Sequence, residues 1–168
     1  MNEKNPLVGL VMGSDSDWPV VSKAHDTLNE LGIAHEVRVI SAHRTPETAH
    51  EYAATAEDRG LKVILAAAGG AAHLAGVLAA STILPVVGIP VPGGSLNGLD
   101  ALLATVQMPS GIPVATVAVS FSGAVNAALL AAQMLALSDP ELAEKLRARK
   151  KKLAEKVAAA NEKLQAQL

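Results

Sequence analysis

Three short segments gather the side chains of this chain that are best suited to chemistry. The first, Gly13-Ser14-Asp15-Ser16-Asp17, sets hydroxyls and backbone N–H groups behind a glycine turn. Such a turn at a helix start can hold a phosphate. A carboxylate there instead suits a ribose diol, to which Asp17 could offer two acceptor oxygens. The same residues also read as a polar turn in which Asp17 caps the next helix, and the sequence alone favours neither reading. The second segment, Ser41-Ala42-His43-Arg44-Thr45-Pro46, places an arginine fork that matches phosphate beside an imidazole, the side chain whose charge changes near neutral pH. Its bland reading is a surface loop with Thr45 as a helix cap. The chemical reading outweighs it, because only six Lys and Arg residues precede position 140 and loops on a rigid scaffold are where such groups act. The third segment is Ala68-Gly69-Gly70-Ala71-Ala72-His73, whose paired glycines let a flat ring approach the backbone. His73 either reaches the same pocket or is a satisfied, partly buried structural residue, and both readings stand.

Taken together, the three loops predict a phosphorylated small molecule carrying a ring, with one histidine moving protons. No loop has the spacing of a P-loop, a dinucleotide GxGxxG or a metal-binding HExxH. His25, His35 and His50 lie on element faces without ligand spacing and read as structural, and no metal site is expected. The absence of cysteine from all 168 residues excludes a thiolate nucleophile, a disulfide framework and any Cys-ligated metal.

Each of these loops directly follows an apolar run. Leu7–Met12 reads as a strand, then a helix with Trp18-Pro19 in its first turn runs to Gly32. His35–Ile40 reads as a second strand, followed by a helix from Thr45-Pro46 that stops at Gly60. Val63–Ala67 is a third strand and His73–Thr82 a third helix. Val86–Ile89 forms a short fourth strand, and a Gly/Pro-rich loop leads to a helix over Leu99–Val106. A strand over Val114–Val119 and a helix over Gly123–Leu137 complete the alternation. This pattern predicts a three-layer α/β fold, a doubly wound parallel five-stranded sheet of flavodoxin-like or Rossmann-like type. Such folds bind ligands at the carboxyl ends of their strands.

Composition narrows the partners. Half of the residues are hydrophobic and 18% are charged, which suits one folded domain with a real core. Aromatics are limited to Trp18, Tyr52 and Phe121, so a stacking platform for single-stranded nucleic acid is not expected. The stretch from Lys145 to Lys163 holds eight of the 14 basic residues. With the four acids between Glu141 and Glu162 the tail carries +4, leaving −6 on the body, which also argues against nucleic-acid binding. Val63–Ala80 is uncharged over 18 residues, but Gly69-Gly70 and His73 interrupt it. It reads as a buried strand, loop and helix rather than a membrane span. No signal-peptide pattern is seen at the start, and a cytoplasmic protein is expected. From Pro140 onward, Leu142, Leu146, Leu153, Val157, Ala160 and Leu164 form one stripe on a long, otherwise charged helix. The expected organisation is a catalytic domain over 1–138 and a helical extension over 139–168. That extension either folds back on its own domain or lies across a neighbouring subunit.

Several motifs together resemble one family. Val11-Met12-Gly13-Ser14-Asp15-Ser16-Asp17-Trp18, Ser41-Ala42-His43-Arg44-Thr45-Pro46 and Gly69-Gly70-Ala71-Ala72-His73-Leu74 carry the resemblance. Val106-Gln107-Met108-Pro109 and the segment from Asn126 to Gln133 add to it. They are similar to the class I N5-carboxyaminoimidazole ribonucleotide mutases of purine biosynthesis. The match covers about Val8 to Leu146, and arginine after the histidine of the second loop resembles class I rather than the carbon-dioxide-using class II carboxylases. The resemblance implies an isomerase that moves a carboxylate from the exocyclic nitrogen to the adjacent ring carbon, with no cofactor. It implies Ser14, Ser41 and Arg44 on the phosphate and Asp17 on the ribose. Gly69, Gly70 and Ala71 would lie against ring and carboxylate, His73 would border the pocket, and His43 would be the proton shuttle. It also implies a homo-octamer whose C-terminal helix contacts neighbours. The other readings to be separated are a class II carboxylase and an inactive nucleotide-binding scaffold.

Some positions depart from the family pattern. Ala67, Ala115 and Ser120 stand where glycine is usual, Ala75 replaces a common proline, and Ala101 replaces a serine. If the backbone at Ala67 needs a positive φ, its methyl would narrow the pocket. These changes and the tail rich in Ala, Glu and Lys are what a redesigned member would show.

Overall fold

The structure, a computed structural model, describes residues 5–168. Five strands form one parallel sheet in the order β2-β1-β3-β4-β5. They are β1 (Val8–Met12), β2 (His35–Val39), β3 (Val63–Ala68), β4 (Val86–Pro90) and β5 (Ala115–Thr116). The helices between them are α1 (Trp18–Leu31), α2 (Pro46–Ala54), α3 (Leu74–Ala79), α4 (Leu99–Val106) and α5 (Phe121–Leu135), with α6 (Pro140–Gln165) last. Helices cover both faces, as the alternation of the sequence predicts. One compact unit ends at Ala131 and a second spans Ala132–Leu168. Among the described residues, no helix is long and apolar enough to cross a membrane.

Burial explains the strand sequences. β1 and β4 are buried along their whole length and β3 along all but its last residue, the state that gives parallel strands continuous apolar runs. The register aligns Val8 with His35 on one side and with Val63 on the other. Val11, Ile64 and Ala66 pack on one face with Ala49, Tyr52 and Ala53 of α2 and Leu74 and Leu78 of α3. α1 buries Val21, Ala24 and Leu28 and stops at Gly32, whose φ of 73° and N–H bond to Asn29 make a left-handed cap. The edge strand β2 is only half-buried. It is tied down by an ion pair between Glu36 and Arg59, and the Arg59 guanidinium lies 4.6 Å from the centre of the Tyr52 ring.

Several boundaries differ from expectation. β5 is two residues long rather than the predicted six. Pro113, which has no N–H to donate, precedes its start, and Ser120, at φ 101°, turns the chain into α5. α2 ends its regular turns at Ala54, where the Thr55 hydroxyl bonds to the Glu51 carbonyl. Residues 55–60 continue as turns up to Gly60 at φ 92°. Asp17 makes no side-chain cap to α1. A 3-10 turn over Asp15–Asp17 comes first instead, and Ser14 caps it by accepting from the Ser16 N–H at 3.3 Å. Ala67 is a fully buried strand residue without a positive φ, so the condition under which its methyl would narrow the pocket is not met.

Candidate active site

The three chemistry-bearing loops leave the carboxyl ends of β1, β2 and β3, and this sheet order makes those strands neighbours. β1 sits between the other two, so the second and third loops flank the first. Gly13 donates its N–H to the Ala67 carbonyl at 3.1 Å, which joins the first loop to the third strand. The loops enclose an open cavity of about 270 Å³. Ser14, Asp17, Ser41, His43, Arg44, Gly69 and His73 all line it. Of the nine residues singled out from sequence, only Gly70 and Ala71 lie outside its wall. The wall also includes Gly13, Ala42, Ala68, Ala72 and Leu74, which sequence reasoning did not single out. Their one available signal was adjacency to the named residues within the same loops.

Each loop is built locally. In the first, the Ser16 hydroxyl donates to Ser14 Oγ at 2.8 Å and the Asp17 N–H bonds to the Ser14 carbonyl at 3.1 Å. Burial pushes the Asp17 carboxyl above its ordinary value. A backbone hydrogen bond from Ser14 opposes that rise, and the nearby Asp15 charge adds to it. In the second loop, Ser41 Oγ accepts from the Arg44 N–H at 3.2 Å. Thr45 caps no helix N–H with its side chain and reaches back to Ser41 instead. In the third, Gly70 (φ 60°) and Ala72 (φ 47°) both occupy the left-handed region. Glycine takes that conformation freely, while alanine there is strained, a condition that clusters at working sites.

The third loop turns His73 toward the second. His43 Nε2 lies 2.7 Å from His73 Nδ1, with the rings nearly perpendicular at 84° and their centres 4.9 Å apart. A bond of this kind needs one hydrogen between the two nitrogens, and either ring can supply it. Both imidazoles are exposed to the cavity side. The arrangement therefore joins one cation with a planar fork, two hydroxyls, one carboxylate, a glycine-rich wall and an imidazole with a partner. It suits an anionic ligand with a sugar-like diol, and it can exchange a proton with that ligand.

A five-stranded sheet in this order, with its polar cleft at the strand ends where the chain reverses direction across the sheet, defines a doubly wound, flavodoxin-like α/β protein. The chain belongs to the AIR carboxylase family, whose model matches residues 7–156. It is 57% identical over 157 residues to the N5-carboxyaminoimidazole ribonucleotide mutase of Pyrococcus horikoshii, covering 94% of this chain and 88% of that protein. With the mutase of Bacillus subtilis it shares 54% identity over 159 residues, 95% of this chain and 98% of that one. The crystal structure of Treponema denticola PurE superposes with a TM-score of 0.85 at 32% identity, covering 95% of this chain and 98% of that one.

Proposed function

We propose that this chain is an N5-carboxyaminoimidazole ribonucleotide mutase of purine biosynthesis in which His43 carries the proton. The mutase activity rests on relatives of that name, more than half identical over nearly the whole chain. One geometric observation supports the assignment of the shuttle. His43 shares one cavity with Arg44, Ser14, Ser41 and Asp17, and its Nε2 is held by His73.

Arg44 and the hydroxyls of Ser14 and Ser41 hold the substrate phosphate, and Asp17 accepts from the ribose diol. Gly69 lies against the ring and its carboxylate, with His73 bordering the pocket, and Gly70 and Ala71, outside the cavity wall, complete the same loop. In the first half-reaction, protonated His43 gives its proton to the exocyclic nitrogen as the nitrogen–carbon bond breaks and carbon dioxide leaves. In the second, the adjacent ring carbon attacks that carbon dioxide, and neutral His43 removes the proton from the same carbon. The proton spent in the first half is regained in the second, so one imidazole serves as both acid and base. Gly13, Ala42, Ala68, Gly69 and Ala72 give the cavity a stretch of small side chains against which carbon dioxide can rest.

The reading extends to assembly. Leu99, Leu103 and Val106 follow one another on α4 at four- and three-residue spacing, and each is about half exposed. Along α6, Leu153, Val157 and Leu164 are exposed as well. Faces of this kind support a homo-octamer in which residues 139–168 pack on neighbouring subunits around catalytic domains of residues 1–138. The protein works in the cytoplasm on a small ribonucleotide, without nucleic acid as a partner.

The test is conversion of the N-carboxylated ribonucleotide to its carbon-carboxylated isomer by the purified chain, with and without added bicarbonate. Turnover independent of bicarbonate is expected. A requirement for bicarbonate would assign the carboxylase reaction instead, and binding without turnover would leave a scaffold.

A further inference from the structure

The loop that carries His43 and Arg44 is closed by a side chain outside the cavity wall, that of Thr45. The Thr45 hydroxyl accepts from the Ser41 N–H at 3.1 Å and donates to the Ser41 carbonyl at 2.9 Å. The Thr45 N–H also bonds to that carbonyl at 2.9 Å. Both polar ends of Ser41 are thus tied to Thr45, and His43 stands at the middle of the closed turn. Thr45 is absent from the cavity wall, and its side chain makes no cap bond to α2. This hydroxyl therefore does not serve the capping role that is the ordinary reason for threonine before a Pro-led helix.

We infer that Thr45 is a positioning residue for the proton transfer: its hydroxyl fixes the Ser41–Thr45 turn so that His43 Nε2 meets His73. The inference rests on the proposed mutase reading. It follows from how the turn is anchored on each side. Before it, Ile40 is buried and its N–H bonds to the Met12 carbonyl at 2.9 Å. After it, Pro46 opens α2 with a fixed φ. Between these anchors, the bonds that Thr45 and Ser41 exchange, with the Arg44 N–H on Ser41 Oγ, hold the turn. Arg44 can still be drawn into place by a bound phosphate, because its long side chain adapts, and Ser41 stays next to Ile40, whose N–H bond to the Met12 carbonyl does not involve Thr45. The short imidazole of His43 cannot compensate in this way, and proton transfer is sensitive to displacements of an ångström or less. Loss of the hydroxyl should therefore appear in the chemical step more than in binding.

Thr45→Val keeps the shape of the side chain and removes both of its bonds, while Thr45→Ser keeps both. In the isomerisation assay, Thr45→Val should lower kcat roughly tenfold with KM changed by no more than about twofold. Thr45→Ser should stay within about twofold of the parent in both. Amide hydrogen exchange at Ser41 should accelerate in the valine variant and not in the serine variant, a readout that does not depend on turnover. An unchanged kcat in Thr45→Val, or equal losses in both variants, would overturn the inference. A parent chain that turns over no substrate would instead remove the mutase reading, and unchanged Ser41 exchange in Thr45→Val would then separately refute the clamp.

Discussion

Two histidine pairs in this molecule share nearly the same contact and differ in everything around it. His43 and His73 meet at 2.7 Å with ring centres 4.9 Å apart, and His25 and His35 meet at 2.7 Å with centres 4.8 Å apart. The second pair joins α1 to β2 and is bonded on both outer sides. The Ile33 carbonyl accepts from His35 Nδ1 at 2.9 Å, so that ring carries its hydrogen on Nδ1 and accepts through Nε2. His25 must then donate from Nδ1, which leaves its Nε2 to accept from the Asn29 amide at 3.0 Å. With both rings neutral, every ring nitrogen of this pair is taken up by a protein partner. In the site pair, no protein hydrogen bond among the described residues engages His43 Nδ1 or His73 Nε2, and either ring can be the donor. What separates the two pairs is the uncommitted outer nitrogens of the site pair, not the contact itself.

The largest expected effect breaks that comparison if it fails. His43→Asn should lower isomerisation by roughly 10²–10⁴-fold while the ribonucleotide still binds, because Ser14, Asp17 and Arg44 remain. In the same assay His25→Asn should leave turnover within about twofold and lower stability by about 1 kcal/mol in a denaturant titration. Equal catalytic losses in the two variants would mean that the contact alone matters. Next in size, Arg44→Ala should weaken ribonucleotide binding by roughly 10- to 100-fold. An unchanged dissociation constant measured by calorimetry would remove the phosphate clamp. Asp17 should set a smaller effect on the acid side. Its carboxyl is raised above the ordinary value, so the ionised acceptor is lost at a higher pH than for a normal aspartate. Affinity should therefore fall as pH drops through that raised value, and Asp17→Asn should flatten this limb. A limb of the same shape in the variant would assign it elsewhere. The smallest expected change lies outside both pairs: Ser120→Gly, which relieves a φ of 101°, should raise stability by about 1 kcal/mol. A lower melting temperature would show that the serine is accommodated there.

The sequence exposes the order of elements because buried parallel strands such as Val63–Ala68 must be continuous apolar runs, and because Gly32 and Gly60 punctuate helix ends visibly. It exposes the three loops because hydroxyls, Arg44 and His43 are conspicuous in a body with few cations. The meeting of His43 with His73 was not legible. It depends on β1 separating β2 from β3 and on Ala72 turning the backbone at φ 47°, and neither is written in local residue types. The short β5 was equally hidden, since Val114 to Val119 is apolar enough for a longer strand, yet the regular strand stops at Thr116, four residues before the turn at Ser120. Thr45 looked like a helix cap because its neighbour is proline. Only in the folded turn does its hydroxyl bond back to the Ser41 carbonyl.

The cleft is held with unequal firmness on its two sides. Gly69 and His73 follow β3, which has hydrogen-bonded neighbours on both flanks, whereas His43 follows β2, an edge strand, with one. Fraying would begin at that rim. It would carry the imidazole away while the glycine floor stayed in place, so the cleft would lose its titratable wall before it lost its shape.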